Sequence, residues 1–77
     1  MSGPARMPLT PRQAEVLTAA ADGAPLSRVA ERLDVRRETV AARLSDGYRR
    51  LDVAHLPRDE RRQAAVRTAR RRGLIPA

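Results

Sequence analysis

The chain has 77 residues with a formal net charge of +7, no cysteine, and Tyr48 as its one aromatic residue. This length fits one small domain whose core must be built from leucine, valine and alanine. The composition excludes disulfides and cysteine-ligated zinc, and no stretch is apolar and long enough to span a membrane. Because the N-terminus also lacks the apolar run of a signal peptide, we expect a cytoplasmic protein without metal or cofactor.

Positive charge is concentrated in the second half of the sequence. Residues 1–35 contain four arginines and four acidic residues, whereas residues 36–77 contain twelve arginines and five acidic residues. A balanced half followed by a basic half is typical of a protein whose partner is a polyanion. Every basic residue is an arginine, which suits bidentate phosphate contacts and is also the product of a GC-rich genome. The prediction of a polyanion partner therefore depends on where the arginines lie.

The first residues of the chain lead into a well-marked helix start. Residues 1–8 contain glycine and proline without hydrophobic periodicity, so we predict a disordered tail followed by one domain over 9–77. Thr10 is suited to the N-cap, Pro11 to the first helical position and Gln13 to a capping box.

This first helix is predicted to run to about Ala21, because the Asp22-Gly23 pair that follows lets glycine take a positive φ. Its inner face consists of Val16, Leu17, Ala20 and Ala21. No strand pattern competes anywhere in the chain, and we expect an all-α fold of four helices.

Two short amphipathic helices around a tight turn form the most informative stretch. A scaffold helix over about 25–33 and a second helix over about 37–51 each carry an apolar stripe at the helical period. The stripes are Val29, Ala30 and Leu33, and then Val40, Leu44, Tyr48 and Leu51. The connection Asp34-Val35-Arg36 needs a sharp turn, which we expect to bury Val35. This is the helix-turn-helix pattern, whose second helix commonly enters the major groove of DNA.

A fourth helix is predicted over about 57–72. Pro57 suits its start, and acidic residues lie in its first turn and arginines in its last, the order that the helix dipole favours. Gly73 stops the helix, and Leu74-Ile75 is placed to fold back in a Schellman-type contact. A strip of small residues on this helix is interpreted as a homodimer seam, although some of it must pack against the first helix of the same chain. The strip comprises Ala64, Ala65, Thr68 and Ala69.

The order of these signals resembles that of LuxR/GerE-type helix-turn-helix domains. Four segments between Leu9 and Ile75 carry the resemblance: LTPRQAEVL, VAERLDV, ETV through YRRLDV, and AV with ARRRGLI. The first three also resemble the fourth region of sigma factors, whereas the YRRLDV exit and the RGLI ending favour the LuxR type. The resemblance implies a four-helix DNA-binding domain, usually dimeric through its last helix, that acts on promoters.

Three features depart from the family pattern. Arg36 stands where members commonly have a small polar residue before the recognition helix. Gly47 replaces the bulky apolar residue that usually precedes the tyrosine; glycine in a helix interior costs about 0.5–1 kcal/mol and is expected to leave a gap in the core. The connection from Val53 to Val66 is longer than the family's, and we expect it to lengthen the fourth helix toward Pro57 and alter the dimer surface.

The outward face of the recognition helix is predicted to contact DNA. Ala41, Ala42 and Ser45 fall where the family reads bases, but they offer only methyl contacts and one hydroxyl, so direct readout should be weak. Thr39 adds a phosphate hydrogen bond. The arginines around both ends of the helix are assigned to phosphates, with Arg37 nearest a base edge. They are Arg36, Arg37, Arg43, Arg49 and Arg50.

Two acidic residues on the same face oppose DNA binding. Glu38 and Asp46 lie among the outward positions, and Asp46 is placed to pair with Arg43, Arg49 or Arg50. A solvated arginine face without a ligand is therefore the alternative to a phosphate interface.

From these features we predict a sequence-preferring transcriptional regulator that binds double-stranded DNA as a homodimer and associates with the nucleoid. A second hypothesis is a protein-interaction module for a sigma factor, RNA polymerase or a larger regulator, because the recognition face is small and partly acidic. The sequence offers no nucleophile–base pair, phosphate loop or metal-ligand cluster, so we do not expect an enzyme.

Overall fold

The computed structural model of the chain describes residues 8–77. Its helices are α1 (Pro11–Ala19), α2 (Leu26–Leu33), α3 (Arg37–Arg50) and α4 (Arg58–Arg71). No strand occurs in these residues, which confirms the prediction of an all-α fold with four helices. The tail predicted over 1–8 lies outside the described residues apart from Pro8. None of the helices within 8–77 combines the length and the apolar character that a membrane crossing needs.

The start of α1 is the predicted capping box. The Thr10 hydroxyl accepts a hydrogen bond from the backbone N–H of Gln13 at 3.1 Å, and the Gln13 side-chain oxygen accepts from the N–H of Thr10 at 3.0 Å. Pro11 follows the cap at the first helical positions. These bonds satisfy N–H groups that a helix start otherwise leaves without partners. The helix ends at Ala19, slightly earlier than predicted, and Gly23 in the following turn has a φ of 83°.

Three helix ends share one backbone arrangement. After α4, the N–H groups of Gly73 and Leu74 donate to carbonyls of the last helical turn at 3.0 and 2.8 Å, which is the predicted Schellman contact. Gly73 has a φ of 73°, in the left-handed region. After α2 and α3 the same position is held by Asp34 and Asp52, with φ of 55° and 61°. Aspartate tolerates this conformation better than most residues because its short polar side chain can hydrogen-bond locally.

The core is assembled from all four helices and from the segments that follow α3 and α4. Because the chain has one aromatic residue, aliphatic side chains fill this core, and Tyr48 is only partly buried against it. Val35 in the helix-turn-helix is half-buried rather than buried, as is Ala21 after α1. The buried hydrophobic residues are Val16, Leu17, Ala20, Val29, Ala30, Val40, Leu44, Leu51, Val53, Ala64, Ala65, Val66, Ala69 and Ile75.

Gly47 lies where α3 packs closely against the start of the domain. A Cβ at this position would be 3.6 Å from Cδ2 of Leu9 and 4.0 Å from Cβ of Gln13. Both are ordinary van der Waals distances. The gap predicted at Gly47 is therefore limited to about the space of one methyl group, because Leu9, which precedes α1, covers the glycine.

Candidate nucleic-acid interface

The outward side of α3 is open to solvent. Residues on its inner side, among them Val40 and Leu44, are buried against α1 and α2. The positions that the sequence assigns to bases, Ala41, Ala42 and Ser45, are all exposed. Thr39 is half-buried. The helix therefore presents small side chains at its centre and nothing within residues 8–77 covers them.

Three of the arginines assigned to phosphates have no carboxylate within ion-pair distance in residues 8–77. Arg36 precedes α3 in extended backbone conformation, Arg37 is the first residue of the helix, and both are exposed. Arg43 is half-buried further along the helix. Because a guanidinium without a carboxylate partner keeps its donors for an external anion, these three side chains are suited to phosphate.

Asp46 engages the two arginines at the other end of α3. Nη2 of Arg49 donates to Oδ1 of Asp46 at 3.1 Å, and Nε of Arg50 donates to Oδ2 at 3.3 Å. These are two of the three pairings predicted for Asp46. Nη1 of Arg50 also donates to the carbonyl oxygen of Pro8 at 3.0 Å, and its side chain is 27% exposed. Arg50 thus holds α3 to the segment before α1, whereas the Arg49 side chain is 65% exposed.

The same carboxylate ties α3 to α1. The side-chain amide of Gln13 donates a hydrogen bond to Asp46 across the helix interface. The hydrogen bond from Arg49, together with the nearby charge of Arg50, holds the pKa of Asp46 below its ordinary value of 3.8 despite some desolvation. Asp46 therefore stays ionised and keeps its partners. The sequence pattern indicated only the capping role of Gln13, since nothing in the spacing signals a contact with a residue two helices away.

The small residues assigned to the dimer seam lie in the core of the single chain, which corrects that assignment. Ala65 and Ala69 are 0% exposed, and Ala64 and Thr68 are 7% and 9% exposed. Helix α4 packs against α1 and α3, so this strip completes the monomer core and has almost no area left for a second copy. The exposed residues of α4 are mostly charged instead, and they are Arg58, Asp59, Glu60, Gln63, Arg67, Arg70 and Arg71.

The fold and the open second helix of its helix-turn-helix define a small all-α domain of the nucleic-acid-binding class. A family model described as bacterial regulatory proteins, luxR family (GerE), matches residues 7–67. The chain belongs to the LuxR family of helix-turn-helix regulatory proteins, a family of DNA-binding transcription regulators. No curated protein and no solved structure matches the chain.

Proposed function

We propose that this protein binds double-stranded DNA with α3 in the major groove and regulates transcription with a modest sequence preference. The observation that carries this proposal is the open outward face of α3, bordered by arginines without carboxylate partners. Because Ala41, Ala42 and Ser45 offer methyl groups and one hydroxyl, base edges contribute little discrimination. Phosphate contacts then supply most of the affinity, and the protein is expected to associate with the nucleoid.

Three arginines without a carboxylate partner form the proposed phosphate set in each subunit, with Thr39 adding a hydrogen bond. They are Arg36, Arg37 and Arg43; Arg49 is held by Asp46, and Arg50 is left out because its donors are used within the chain. Each neutralised phosphate changes the slope of log K against log salt by about −0.9, so three contacts predict about −2.7 per subunit. Binding whose strength does not depend on salt contradicts the proposal.

Charge reversal on α3 tests the interface directly. Arg37→Glu and Arg43→Glu, measured singly in a gel shift with promoter fragments, should each weaken binding and reduce the size of the salt slope. Arg12→Glu is the matched control, because Arg12 is exposed on α1 and, among residues 8–77, pairs only with Glu15. Loss of binding in the control to the same extent contradicts a role for α3.

The alternative function is a protein-interaction module that binds a sigma factor, RNA polymerase or a larger regulator. The exposed Glu38, which lies among the arginines of α3, is the observation that favours it. Genome-wide immunoprecipitation of the tagged protein separates the two functions, since only DNA binding enriches defined DNA segments. The alternative is supported if the wild type enriches no DNA segment and both Arg37→Glu and Arg43→Glu still bind one of these proteins.

The proposal includes a homodimer whose interface is the exposed side of α4 rather than the buried strip. In an antiparallel pair of α4 helices, Asp59 of one copy lies on the same flank as Arg70 of the other, and Glu60 lies on the same flank as Arg71. Such an arrangement is self-complementary, as a two-fold interface requires. Exposed ion pairs contribute little each, so we expect a weak dimer that DNA stabilises.

Charge exchange tests this dimer. Asp59→Arg should weaken self-association in sedimentation equilibrium, because it places like charges opposite each other. Adding Arg70→Asp should restore association by reversing the pair. A double variant that associates no better than Asp59→Arg alone contradicts the antiparallel interface.

A further inference from the structure

A groove lined by arginines includes part of the face assigned to DNA, because Arg37, Ala41 and Ser45 belong to its lining. It has a volume of about 320 Å³ and is bordered by the starts of α2 and α4 and by α3. Four guanidinium-bearing residues line it, together with Ser45 and Tyr48, and no acidic residue does. These arginines are Arg37, Arg58, Arg61 and Arg62.

Two of these arginines are held in place by backbone carbonyls. Nε of Arg61 donates to the carbonyl oxygen of Leu56 at 2.7 Å, and Nη1 of Arg62 donates to that of Ala24 at 2.5 Å. A carbonyl fixes the position of a guanidinium without neutralising its charge. Arg37 and Arg58 are exposed and have no carboxylate partner within residues 8–77. Four positive charges therefore converge on one groove without a counter-charge in its lining.

The donors around the groove match a phosphate group. Guanidinium groups bind phosphate through paired N–H donors, and the hydroxyls of Ser45 and Tyr48 add two further donors. Asp59 and Glu60 lie in the first turn of α4 beside Arg58 but do not line the groove. Mutual repulsion of the arginines is relieved when an anion binds.

We propose that this groove binds a phosphate group, which in the DNA complex is a backbone phosphate beside the bases that Ala41 and Ser45 face. The identity of the occupant as DNA rests on the proposed function. Arg58 lies in the first turn of α4, within the connection from Val53 to Val66. The contact therefore widens the DNA interface from α3 to α4.

Salt dependence of DNA binding tests this contact. The binding constant of a short duplex is measured against salt concentration for the wild type, Arg58→Gln and Arg12→Gln. We expect Arg58→Gln to reduce the size of the slope by about 0.9, which corresponds to one lost phosphate contact. Arg12→Gln removes the same charge from exposed α1 and should keep the wild-type slope. Identical slopes in all three proteins overturn the DNA contact at the groove.

A measurement without DNA separates this inference from the proposed function. Inorganic pyrophosphate is titrated into the ¹⁵N-labelled wild-type protein, and the Nε–Hε signals of Arg37 and Arg58 should shift to saturation while that of Arg12 does not. If the protein binds no duplex but shows this saturable shift, the proposed function fails and the groove is a site for a free phosphorylated ligand. If the wild type binds duplex, Arg58→Gln keeps the wild-type salt slope and pyrophosphate causes no NMR shift, then DNA binding stands and the groove proposal is overturned.

Discussion

The side-chain amide of Gln13 in α1 donates a hydrogen bond to the carboxylate of Asp46 in α3. The same carboxylate accepts hydrogen bonds from Arg49 and Arg50 in its own helix. One acidic residue thus anchors the recognition helix to the start of the domain and holds two of its positive charges. Under the proposed function, these ion pairs oppose DNA binding, because a guanidinium bound to a carboxylate is less available to a phosphate.

Asp46→Asn should bind DNA more tightly but melt at a lower temperature than the wild type. The substitution removes a negative charge beside the duplex and releases Arg49, so the salt slope should steepen by about 0.9. The melting temperature falls because the ion pairs that position α3 are lost. Glu38→Gln is the control, since it removes an equal charge from α3 without releasing an arginine and should keep the wild-type slope. Equal salt slopes for Asp46→Asn and Glu38→Gln contradict the idea that Asp46 withholds Arg49 from DNA phosphates.

Acid should destabilise the protein through two carboxylates. A hydrogen bond from Arg32 lowers the pKa of Asp22 from its ordinary 3.8, and one from Arg49 lowers that of Asp46. A group whose folded pKa is depressed adds stability above its unfolded pKa, and this is lost as the pH falls through the folded pKa. Denaturant unfolding above and below pH 3.8 measures the loss. When the pH is lowered, the double variant Asp22→Asn with Asp46→Asn should lose less free energy of unfolding than the wild type. An equal loss in both proteins contradicts a role for these two carboxylates.

Gly47→Ala should stabilise the protein. The added methyl meets Leu9 and Gln13 at van der Waals distance, and Ala favours a helix interior over Gly by about 0.5–1 kcal/mol. For a domain of this size, 1 kcal/mol corresponds to a rise in Tm of about 4–8 °C. Gly73→Ala is the contrasting control, because the φ of 73° at Gly73 strains an alanine and should lower the Tm. A fall in Tm for Gly47→Ala contradicts the packing described.

Arg36→Ser should weaken DNA binding and stabilise the fold. Arg36 occupies the N-cap of α3 with suitable backbone angles but makes no capping hydrogen bond. A serine there can accept from the first-turn N–H groups and should raise the free energy of unfolding by about 1 kcal/mol. The same change removes one proposed phosphate contact and should reduce the salt slope by about 0.9. Arg36→Ala lacks the cap and should lose affinity without gaining stability, so equal stability in both variants contradicts capping by serine.

Local signals predicted the helices well. The capping box at Thr10 and the Schellman end at Gly73 involve residues a few positions apart, so the residue types alone indicate their hydrogen bonds. The apolar stripes of α2 and α3 predicted the helix-turn-helix because residues spaced at the helical period share one face. The left-handed positions at Asp34 and Asp52 were not predicted, because aspartate adopts this conformation less often than glycine.

The candidate site was predicted only in part. The exposure of Ala41, Ala42 and Ser45 and the pairing of Asp46 with Arg49 and Arg50 follow from positions within one helix. The reassignment of Arg50 depends on Pro8, which is far away in sequence, and the burial of the strip at Ala64 depends on how α4 packs. Small residues on a helix suit a core and a dimer seam equally well, so composition did not distinguish between them.

By itself, the sequence determined four helices, a basic second half and an outward arginine-bordered face on α3, because helix periodicity and caps operate within a few residues. Only the tertiary structure decided which arginines are held by distant segments and which share a surface. Arg50 donates to the carbonyl oxygen of Pro8, whereas Arg58 from α4 and Arg37 from α3 converge on one groove. Packing between helices brings together groups that are distant along the chain, and no local pattern carries that information.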